Sequence, residues 1–481
     1  NAQESGYPLG SPSKGLVISG YYKACGQTAN VGDYTYTMSN NFDHWILFNG
    51  RGESGLLCVE PQCGAVNGLN MKGGYKIIIA GSKLIADKIK ADYSEGGIRA
   101  FDSEFMSGVY EAPFEVIHVP FDQAPVEKET ASPVGRHLDG CRIGFDAGGS
   151  DRKVSAVIDG ETVYSEEVVW YPKVTADPDY HYNGIVEAFK SAASHMPRVD
   201  AVGISSAGIF INNRTMTASL FLSVPKDLYD EKVKDIYIRA VKDTFGDIPY
   251  VVANDGDVSA LAGTMSIKDN NVLGIAMGTS EAVGYVDEEG RITGWLNELA
   301  FVPVDANPDA MIDEWAGDIG CGVKYFSQDS VIKLAPAAGI ELDESAAPAQ
   351  KLKAVQALMA EDDPRAAKIY ESIGCYLGHT LPYYYQTYGF RYVLLLGRVM
   401  SGKGGDLIVS TCQKVLNDEY GICTQDVEEV LNTMCNLSDR IEEKGRLEGR
   451  LEGRLEGQLR TLFELVDDGI LTREDAVKRS G

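Results

Sequence analysis

Long apolar runs and basic residues are both scarce in this sequence. No apolar stretch is long enough to cross a membrane. Lys and Arg together number 44 against 70 Asp and Glu, which gives a formal net charge of -26 at pH 7. Because nucleic acids and anionic membranes are themselves negatively charged, we expect neither as a partner.

Cysteine pairs at metal-binding spacing are absent as well. The nine cysteines are dispersed, and none forms a Cys-x-x-Cys pair. This pattern is typical of reduced thiols in a cytoplasm rather than of a disulfide framework. No signal peptide is visible at the start of the sequence, and with the dispersed cysteines we expect a cytoplasmic protein. Because residue 1 is Asn rather than Met, we expect the natural chain to start before it, which leaves open whether a leader precedes this residue.

The length of 481 residues is enough for about two to four folded units. Short β-like runs separated by Asn and Gly indicate antiparallel β structure in residues 1–90. A polar, Pro-containing stretch indicates an extended connector over 91–140. Residues 141–420 alternate strand and helix patterns, which predicts an α/β unit with a mixed sheet, and 421–481 indicate a helical tail.

Residues 141–153 combine two β-like runs with a glycine turn. The first run ends at Asp146, and Gly148, Gly149 and Ser150 follow. Glycine lets the main chain approach a phosphate group closely, and a carboxylate at the mouth of the turn suits a metal ion. A plain hairpin explains the same residues, and this stretch alone favours the hairpin.

A second polar site follows a strand predicted at residues 250–253. Asn254 and Asp255 come directly after it, and a helical pattern begins at once. Ligands bind at the carboxyl ends of strands in open α/β sheets. Asp255 is therefore a candidate to accept a proton from a substrate hydroxyl, with Asn254 hydrogen-bonding another. Helix capping is the alternative, although it explains one polar residue more easily than Asn254, Asp255 and Asp257 together.

Two further glycine loops follow predicted strands. Gly278 and Thr279 form a turn between two β-like runs and repeat the pattern of the first turn. The repeat suggests an internal duplication with a phosphate between the halves. Gly397 begins a glycine loop between a strand and a helix expected from about Leu407. Such a loop before a helix can accommodate a nucleotide.

Taken in their order along the chain, the two glycine turns, the Asn254-Asp255 site and the Gly397 loop resemble the sugar-kinase/actin/heat-shock-chaperone superfamily. Within it they resemble the ROK family of sugar kinases and sugar-responsive repressors. The resemblance spans about residues 141–420, and Asn254-Asp255 is its most specific part. It implies a two-lobed actin-like ATPase (ribonuclease H-like) α/β core, here with a β-rich N-terminal remnant and an α-helical tail. It also implies an enzyme that phosphorylates a hexose or a related sugar with ATP.

The resemblance also implies roles for individual residues. Asp255 would be the general base, while Asn254 and Glu298 would bind the sugar. Asp146 would help to hold Mg²⁺. The residues that would contact the nucleotide are Gly148, Gly149, Ser150, Gly278 and Thr279 at the phosphates and Gly397 at the adenosine.

The sequence departs from the family's pattern in its sugar and zinc segments. The stretch that corresponds to the family's Gly-Glu-Ile-Gly-His contains Glu298 but has Phe301 in place of the histidine. Cys321 stands alone where the family has several cysteines, and one cysteine cannot form a tetrahedral zinc site. We therefore expect no zinc, and the sugar stays unidentified. No helix-turn-helix pattern precedes residue 141, which disfavours the repressor branch.

The N-terminal region carries a second resemblance. Residues 42–49, 58–62, Asn67 and Asn70 are similar to the C-terminal end of aldose 1-epimerases. In that family the glutamate at the position of Glu60 is the general base. The family's catalytic histidines have no counterpart here, so we expect a remnant without epimerase activity.

The tail repeats Gly-Arg-Leu-Glu over residues 445–456. Leucine at every fourth position indicates a helix, and each glycine weakens it by about 1 kcal/mol. The tail resembles the C-terminal end of Rpn-type nuclease/transposase proteins, whose catalytic core is absent, so no nuclease activity is expected. The strand and helix that normally close a ROK domain after the segment matching 407–420 are not found.

The leading hypothesis is an ATP-dependent sugar kinase of the ROK type. A sugar- or nucleotide-binding sensor without turnover is the alternative, which the altered zinc segment and the missing end favour. A chimeric origin is compatible with both. The expected partner is a small-molecule sugar, and the sequence leaves open whether two copies form a homodimer.

Overall fold

A computed structural model of the protein describes residues 27–31, 34–39, 47–49, 69–125, 131–132, 137, 139–305, 307 and 309–422. Glu60, the Gly-Arg-Leu-Glu repeat and almost all of the predicted tail lie outside these ranges.

The strands follow one another along the whole described chain. They are β1 Gln27–Val31, β2 Tyr34–Ser39, β3 Leu47–Asn49, β4 Lys76–Gly81, β5 Glu115–Val119, β6 Ala131–Ser132, β7 Cys141–Ala147, β8 Asp151–Ile158, β9 Glu161–Val169, β10 Ala201–Ser206, β11 Ile209–Ile211, β12 Arg214–Thr217, β13 Tyr250–Asn254, β14 Val272–Met277, β15 Glu281–Val286, β16 Ile292–Thr293 and β17 Tyr392–Leu396.

The longer helices lie between these strands and after the last of them. They are α1 Lys83–Asp92, α2 Ala100–Tyr110, α3 Pro178–Ala193, α4 Ile236–Phe245, α5 Asp255–Ile267, α6 Gln328–Ala337, α7 Pro348–Ala360, α8 Pro364–Tyr388 and α9 Lys403–Tyr420. In the ranges that the structure describes, no helix has the length and apolar character needed to cross a membrane.

The first sheet joins β1 to β5 in chain order. The pairs β1–β2 and β2–β3 are antiparallel, whereas β3–β4 and β4–β5 are parallel. The two helices between β4 and β5 cover one face of β4. Their shared core contains Ile77, Ile79, Ile85, Ile89 and Met106.

The structure differs from two expectations for this region. Strand β4 was expected in an antiparallel sheet, but both of its neighbours are parallel to it. The stretch 91–140 was expected to be an extended connector, but it contains helix α2 and strand β5. Apolar residues at helical spacing, Phe101, Phe105 and Val109, explain why α2 forms there despite its polar flanks.

The second sheet has the order β13-β10-β7-β8-β9. The predicted hairpin is confirmed: β7 and β8 pair antiparallel, and β10 and β13 add parallel strands beside β7. Residues of β7 are alternately buried and half-buried, as expected for a strand with one face on a core. Helix α3 covers that face with Ile185 and Phe189, after an N-terminal cap in which Asp177 accepts a hydrogen bond from the Asp179 amide.

The third sheet has the order β17-β14-β15-β16-β6. Strand β14 is apolar throughout because both of its faces are covered. Leu273, Ile275 and Met277 join the core formed with α8 and α9, while Gly274 faces Ala260 of α5.

The second and third sheets repeat one pattern. Each starts with an antiparallel hairpin, adds a third strand on the far side, and returns to place a parallel strand beside the first one. The second sheet has one more strand, β13, beyond that parallel strand. In the part of the chain that the structure describes, no strand pairs with the outer edge of β17.

A wider helical turn at Tyr229–Val233 precedes α4. One predicted helix differs at its start. The helix expected from Leu407 begins at Lys403. Its glycines support packing rather than breaking the helix, since Gly404 lies against the ring of Tyr370.

A glycine contact joins α5 to β15. A Cβ atom at Gly284 would overlap the carbonyl oxygen of Gly256, and one at Gly256 would overlap the carbonyl oxygen of Val283. The two backbones therefore approach more closely than any residue with a side chain permits. Since α5 begins where β13 ends, this contact fixes the edge of the second sheet against the third.

We expect Gly284→Ala to lower the free energy of unfolding by about 3 kcal/mol, because the added methyl group has no space between the two backbones. Gly108→Ala is the matched control, since a Cβ atom at this helical position meets nothing within 4 Å. That control should be stabilising by about 0.5–1 kcal/mol. Chemical denaturation of both variants measures the difference, and equal stabilities would contradict the packing described.

Candidate active site

Parallel strands of the second sheet bring the predicted catalytic residues together. Asp146 on β7 is the register partner of Ser205 on β10, and Ser206 is the partner of Asn254 on β13. The carboxyl ends of these strands therefore lie at one edge of the sheet, where Asp255 follows as the first residue of α5.

The first glycine turn is held by a buried tryptophan. The indole Nε1 of Trp170 donates to the carbonyl oxygen of Gly148 at 2.8 Å, and its backbone amide donates to that of Ser150 at 3.1 Å. Trp170 is 3 % exposed, whereas Gly149 and Ser150 face solvent. The turn is thus held on its buried side by Trp170 and exposed to solvent on its other side, as a binding loop requires.

The second turn and the third glycine loop lie side by side. Strands β14 and β17 are parallel and in register from Val272 to Ala276, so Gly278 and Gly397 follow them at the same edge. Gly397 has a φ of 100°, and a Cβ atom there would overlap the carbonyl oxygen of Met277. Only glycine fits this approach. Thr279 at the tip of the turn is exposed.

Asn254 does cap the helix, as the alternative interpretation held. Its Oδ1 accepts from the Gly256 amide at 2.7 Å, and its Nδ2 donates to the carbonyl oxygen of Gly208 at 2.9 Å. The amide group is therefore oriented by the protein itself. One N–H of Nδ2 remains for a ligand.

Asp255 is half-buried at the same edge of the sheet. Burial raises the pKa of its carboxyl group above the ordinary value, and the charge of Asp146 raises it further. The backbone amide of Gly256 donates to its Oδ1 at 3.0 Å, which limits the rise. A carboxylate with a raised pKa accepts a proton more readily than a solvent-exposed one.

Asp257 serves the structure instead. Its Oδ1 accepts from the Tyr285 amide at 3.2 Å and from Nδ2 of Asn297 at 2.9 Å, so it ties α5 to β15 and to the loop before Glu298. Burial raises its pKa to about 7. In the sequence, the position of Asp257 at the start of α5 did not distinguish this structural role from helix capping.

The carboxyl group of Glu298 interacts with the charge of Asp255. Burial raises the pKa of its carboxyl group to about 7, with a further contribution from the charge of Asp255. No hydrogen bond or ion pair of this carboxyl group with the described residues is found. It is therefore available to a ligand at the same edge as Asp255.

Residues 69–72 hold the loop that carries Glu298. The backbone amide of Glu298 donates to the carbonyl oxygen of Asn70 at 2.9 Å, and that of Asn297 donates to Met71 at 3.0 Å. In return, Nδ2 of Asn70 donates to the carbonyl oxygen of Phe301 at 3.1 Å. The sequence interpretation had assigned Asn70 to an epimerase remnant and missed this function.

Phe301, which stands in place of the family's histidine, belongs to an aromatic cluster. Its ring centroid lies 4.9 Å from that of Trp315, which also packs edge-on against Phe101 and Phe105 of α2. The thiol of the buried Cys321 donates to the carbonyl oxygen of Phe301 at 3.7 Å. Among the residues with described positions, no group of three or more His, Cys, Asp or Glu could hold a metal ion.

Glu281 is the most unusual group near the site. It begins β15 directly after the second glycine turn, is 5 % exposed, and neither carboxyl oxygen has a hydrogen-bond partner in the described structure. Burial raises its pKa to about 8, and the charge of Glu298 adds to the shift. The sequence analysis missed Glu281, although a charged residue at the start of an otherwise apolar strand was a signal that could have identified it.

Comparison with known proteins gives likeness of structure only. No protein-family model matches the sequence, and no curated protein matches it. Solved structures that resemble this chain include ROK family sugar kinases and a ROK regulator.

A ROK hexokinase from Thermus thermophilus is 16% identical, with a TM-score of 0.45 over 58% of this chain and 89% of that chain. A ROK family glucokinase from Streptomyces griseus, in complex with glucose and AMPPNP, is 20% identical, with a TM-score of 0.43 over 58% and 89%. A ROK family transcriptional regulator homologous to the E. coli MLC protein is 16% identical, with a TM-score of 0.42 over 62% and 71%. These scores and identities are too low to transfer an activity.

Substitution of Glu281 tests the buried carboxyl group. The unfolded state releases the Glu281 proton near pH 4.5 and the folded state only near pH 8, so wild-type stability falls as the pH rises through this window. Glu281→Gln cannot ionise. We expect it to stabilise the protein relative to wild type, by on the order of a few kcal/mol more at pH 8.5 than at pH 4.5.

The solvent-exposed Glu288 provides the control for this measurement. Glu288→Gln should show the same pH dependence as wild type in thermal or chemical denaturation. If the stability difference between Glu281→Gln and wild type were equal at pH 4.5 and pH 8.5, Glu281 would not be buried without a partner.

Proposed function

We propose that this protein is an ATP-dependent sugar kinase of the ROK type, which transfers the terminal phosphoryl group to a hydroxyl of a hexose or a related sugar. One observation carries the proposal. A half-buried aspartate with a raised pKa, Asp255, lies at the sheet edge beside Asp146 and the first glycine turn. The second turn and the Gly397 loop lie at the corresponding edge of the repeated sheet.

Asp255 takes the proton from the attacking sugar hydroxyl. Asn254 and Glu298 orient the sugar. Asn254 uses the N–H that its two hydrogen bonds leave over, and Glu298 uses a carboxyl group without a partner among the described residues. With a pKa of about 7, Glu298 can donate or accept a hydrogen bond at neutral pH. Holding the hydroxyl in line with the phosphate supplies most of the catalysis in such a reaction.

The residues present suit Mg²⁺ bound with the nucleotide. Mg²⁺ is usually held by one or two carboxylates, phosphate oxygens and water rather than by a full protein cage. Asp146 is half-buried at the mouth of the first turn, and its carboxylate has no hydrogen bond or ion pair with the described residues. Asp146 would hold the ion, which would neutralise charge on the phosphates.

The nucleotide is assigned to the glycine loops. Gly148, Gly149 and Ser150 would contact the phosphates from one sheet, and Gly278 and Thr279 from the other. Gly397, whose backbone packs on β14, would lie against the adenosine. Backbone N–H groups in such turns bind phosphate oxygens without adding a side chain.

A sensor that binds sugar or nucleotide without turnover is the second candidate. It is supported by the outer edge of β17, which has no partner strand among the described residues. This edge belongs to the half of the molecule that carries Gly278 and Gly397. A chimeric origin of the chain is compatible with either function.

Measurement of ADP release over a panel of hexoses and N-acetylhexosamines, with Mg²⁺ and ATP, tests the kinase. We expect sugar-dependent ADP release by wild type and a loss of at least about a hundredfold in Asp255→Asn, since this change removes the base. Asp247→Asn, at an exposed position of the loop before β13, is the control and should keep wild-type activity.

Equal ADP release by wild type and Asp255→Asn would overturn the proposed mechanism. Thermal stabilisation by a sugar, without ADP release by wild type, would instead establish the sensor.

A further inference from the structure

Lys173 lies against the first glycine turn. A Cβ atom at Gly149 would be 2.8 Å from Cε of Lys173 and 3.1 Å from its Nζ. The ammonium group is therefore in contact distance of the turn backbone, on the solvent-facing side where Gly149 and Ser150 are exposed.

The backbone around Lys173 is fixed relative to this turn. Its carbonyl oxygen accepts from Oγ of Ser223 at 2.6 Å. The neighbouring Pro172 is buried, and its carbonyl oxygen lies 2.9 Å from Nε2 of His181. Three residues earlier, Trp170 makes the two hydrogen bonds that anchor the turn itself. One short segment thus carries both the support of the turn and the lysine above it.

The charge of Lys173 is not paired with any described residue. No ion pair or hydrogen bond of its Nζ is found in the described structure. Lys153, the other lysine near this turn, is paired with Asp151 at 3.3 Å and with Glu167 at 4.0 Å. A free ammonium group over an open glycine turn is the arrangement that binds a phosphate group.

The position of the turn decides which phosphate is involved. The turn begins two residues after Asp146, whose charge acts directly on Asp255. The group that Asp255 helps to transfer must lie beside it, so the terminal phosphate is the one nearest this turn.

We propose that Lys173 binds the terminal phosphate of the nucleotide at the Gly148–Ser150 turn. Its charge stabilises the oxygens of the phosphoryl group during transfer. The inference rests on the proposed kinase function and adds a residue that discriminates the triphosphate from the diphosphate.

Calorimetric titration of the full chain with Mg²⁺-AMPPNP and with Mg²⁺-ADP tests this role. Lys173→Met keeps the aliphatic stem and removes the charge. We expect it to weaken AMPPNP binding by about tenfold or more, and ADP binding by less than about threefold. Lys173→Arg keeps the charge and should retain most of the AMPPNP affinity. Lys242→Met, at an exposed lysine of α4, should bind both nucleotides like wild type.

Each other outcome overturns the inference in a recognisable way. Unchanged AMPPNP affinity in Lys173→Met would exclude a phosphate contact, and an equal loss for AMPPNP and ADP would move the contact to an inner phosphate. If wild type still releases ADP in a sugar-dependent way, either of these two results leaves the kinase proposal valid. Wild type that binds no nucleotide and releases no ADP would end both.

Discussion

The close approach of α5 to β15 is the contact on which the candidate site depends. Helix α5 starts at the edge of one sheet and lies across the face of the other, and Gly256 and Gly284 let the two backbones meet. Asp255, the first residue of that helix, is therefore fixed relative to both sheets. Asp257 strengthens the same junction by accepting from Tyr285 and Asn297.

The second constraint is electrostatic. Glu281 is buried, and Glu298 and Asp255 are half-buried. Burial raises the pKa of Glu281 and of Glu298, the charge of Glu298 adds to the shift at Glu281, and the charge of Asp255 adds to the shift at Glu298. Burying an unpaired carboxylate is costly, so the protonated forms of Glu281 and Glu298 persist close to neutral pH. The site consequently holds groups that can both donate and accept hydrogen bonds, which suits recognition of sugar hydroxyl groups. The same burial limits stability as the pH rises.

Residues 69–119 support the candidate site by contacting the loop that carries Glu298. They hydrogen-bond the Glu298 loop through Asn70 and Met71 and pack α2 against Trp315. An ion pair between Arg99 and Asp318 closes the same interface. The resemblance of residues 1–90 to the end of an epimerase domain stays a prediction, because it concerns the origin of the segment and not what the segment contacts.

By itself, the sequence determined the local elements of the core: the β7–β8 hairpin, the strands before Asn254, Gly278 and Gly397, and the helix after Asn254. Their apolar spacing and glycine turns are local signals that do not depend on distant partners. The tertiary structure alone decided that Asn254 also donates to the carbonyl oxygen of Gly208, that Asp257 is structural, and that Asn70 supports the Glu298 loop. It alone revealed that the carboxyl group of Glu281 is buried without a hydrogen-bond partner among the described residues, and that Lys173 lies against the first glycine turn. These properties arise from desolvation and from contacts between residues far apart in the chain, which no local pattern encodes.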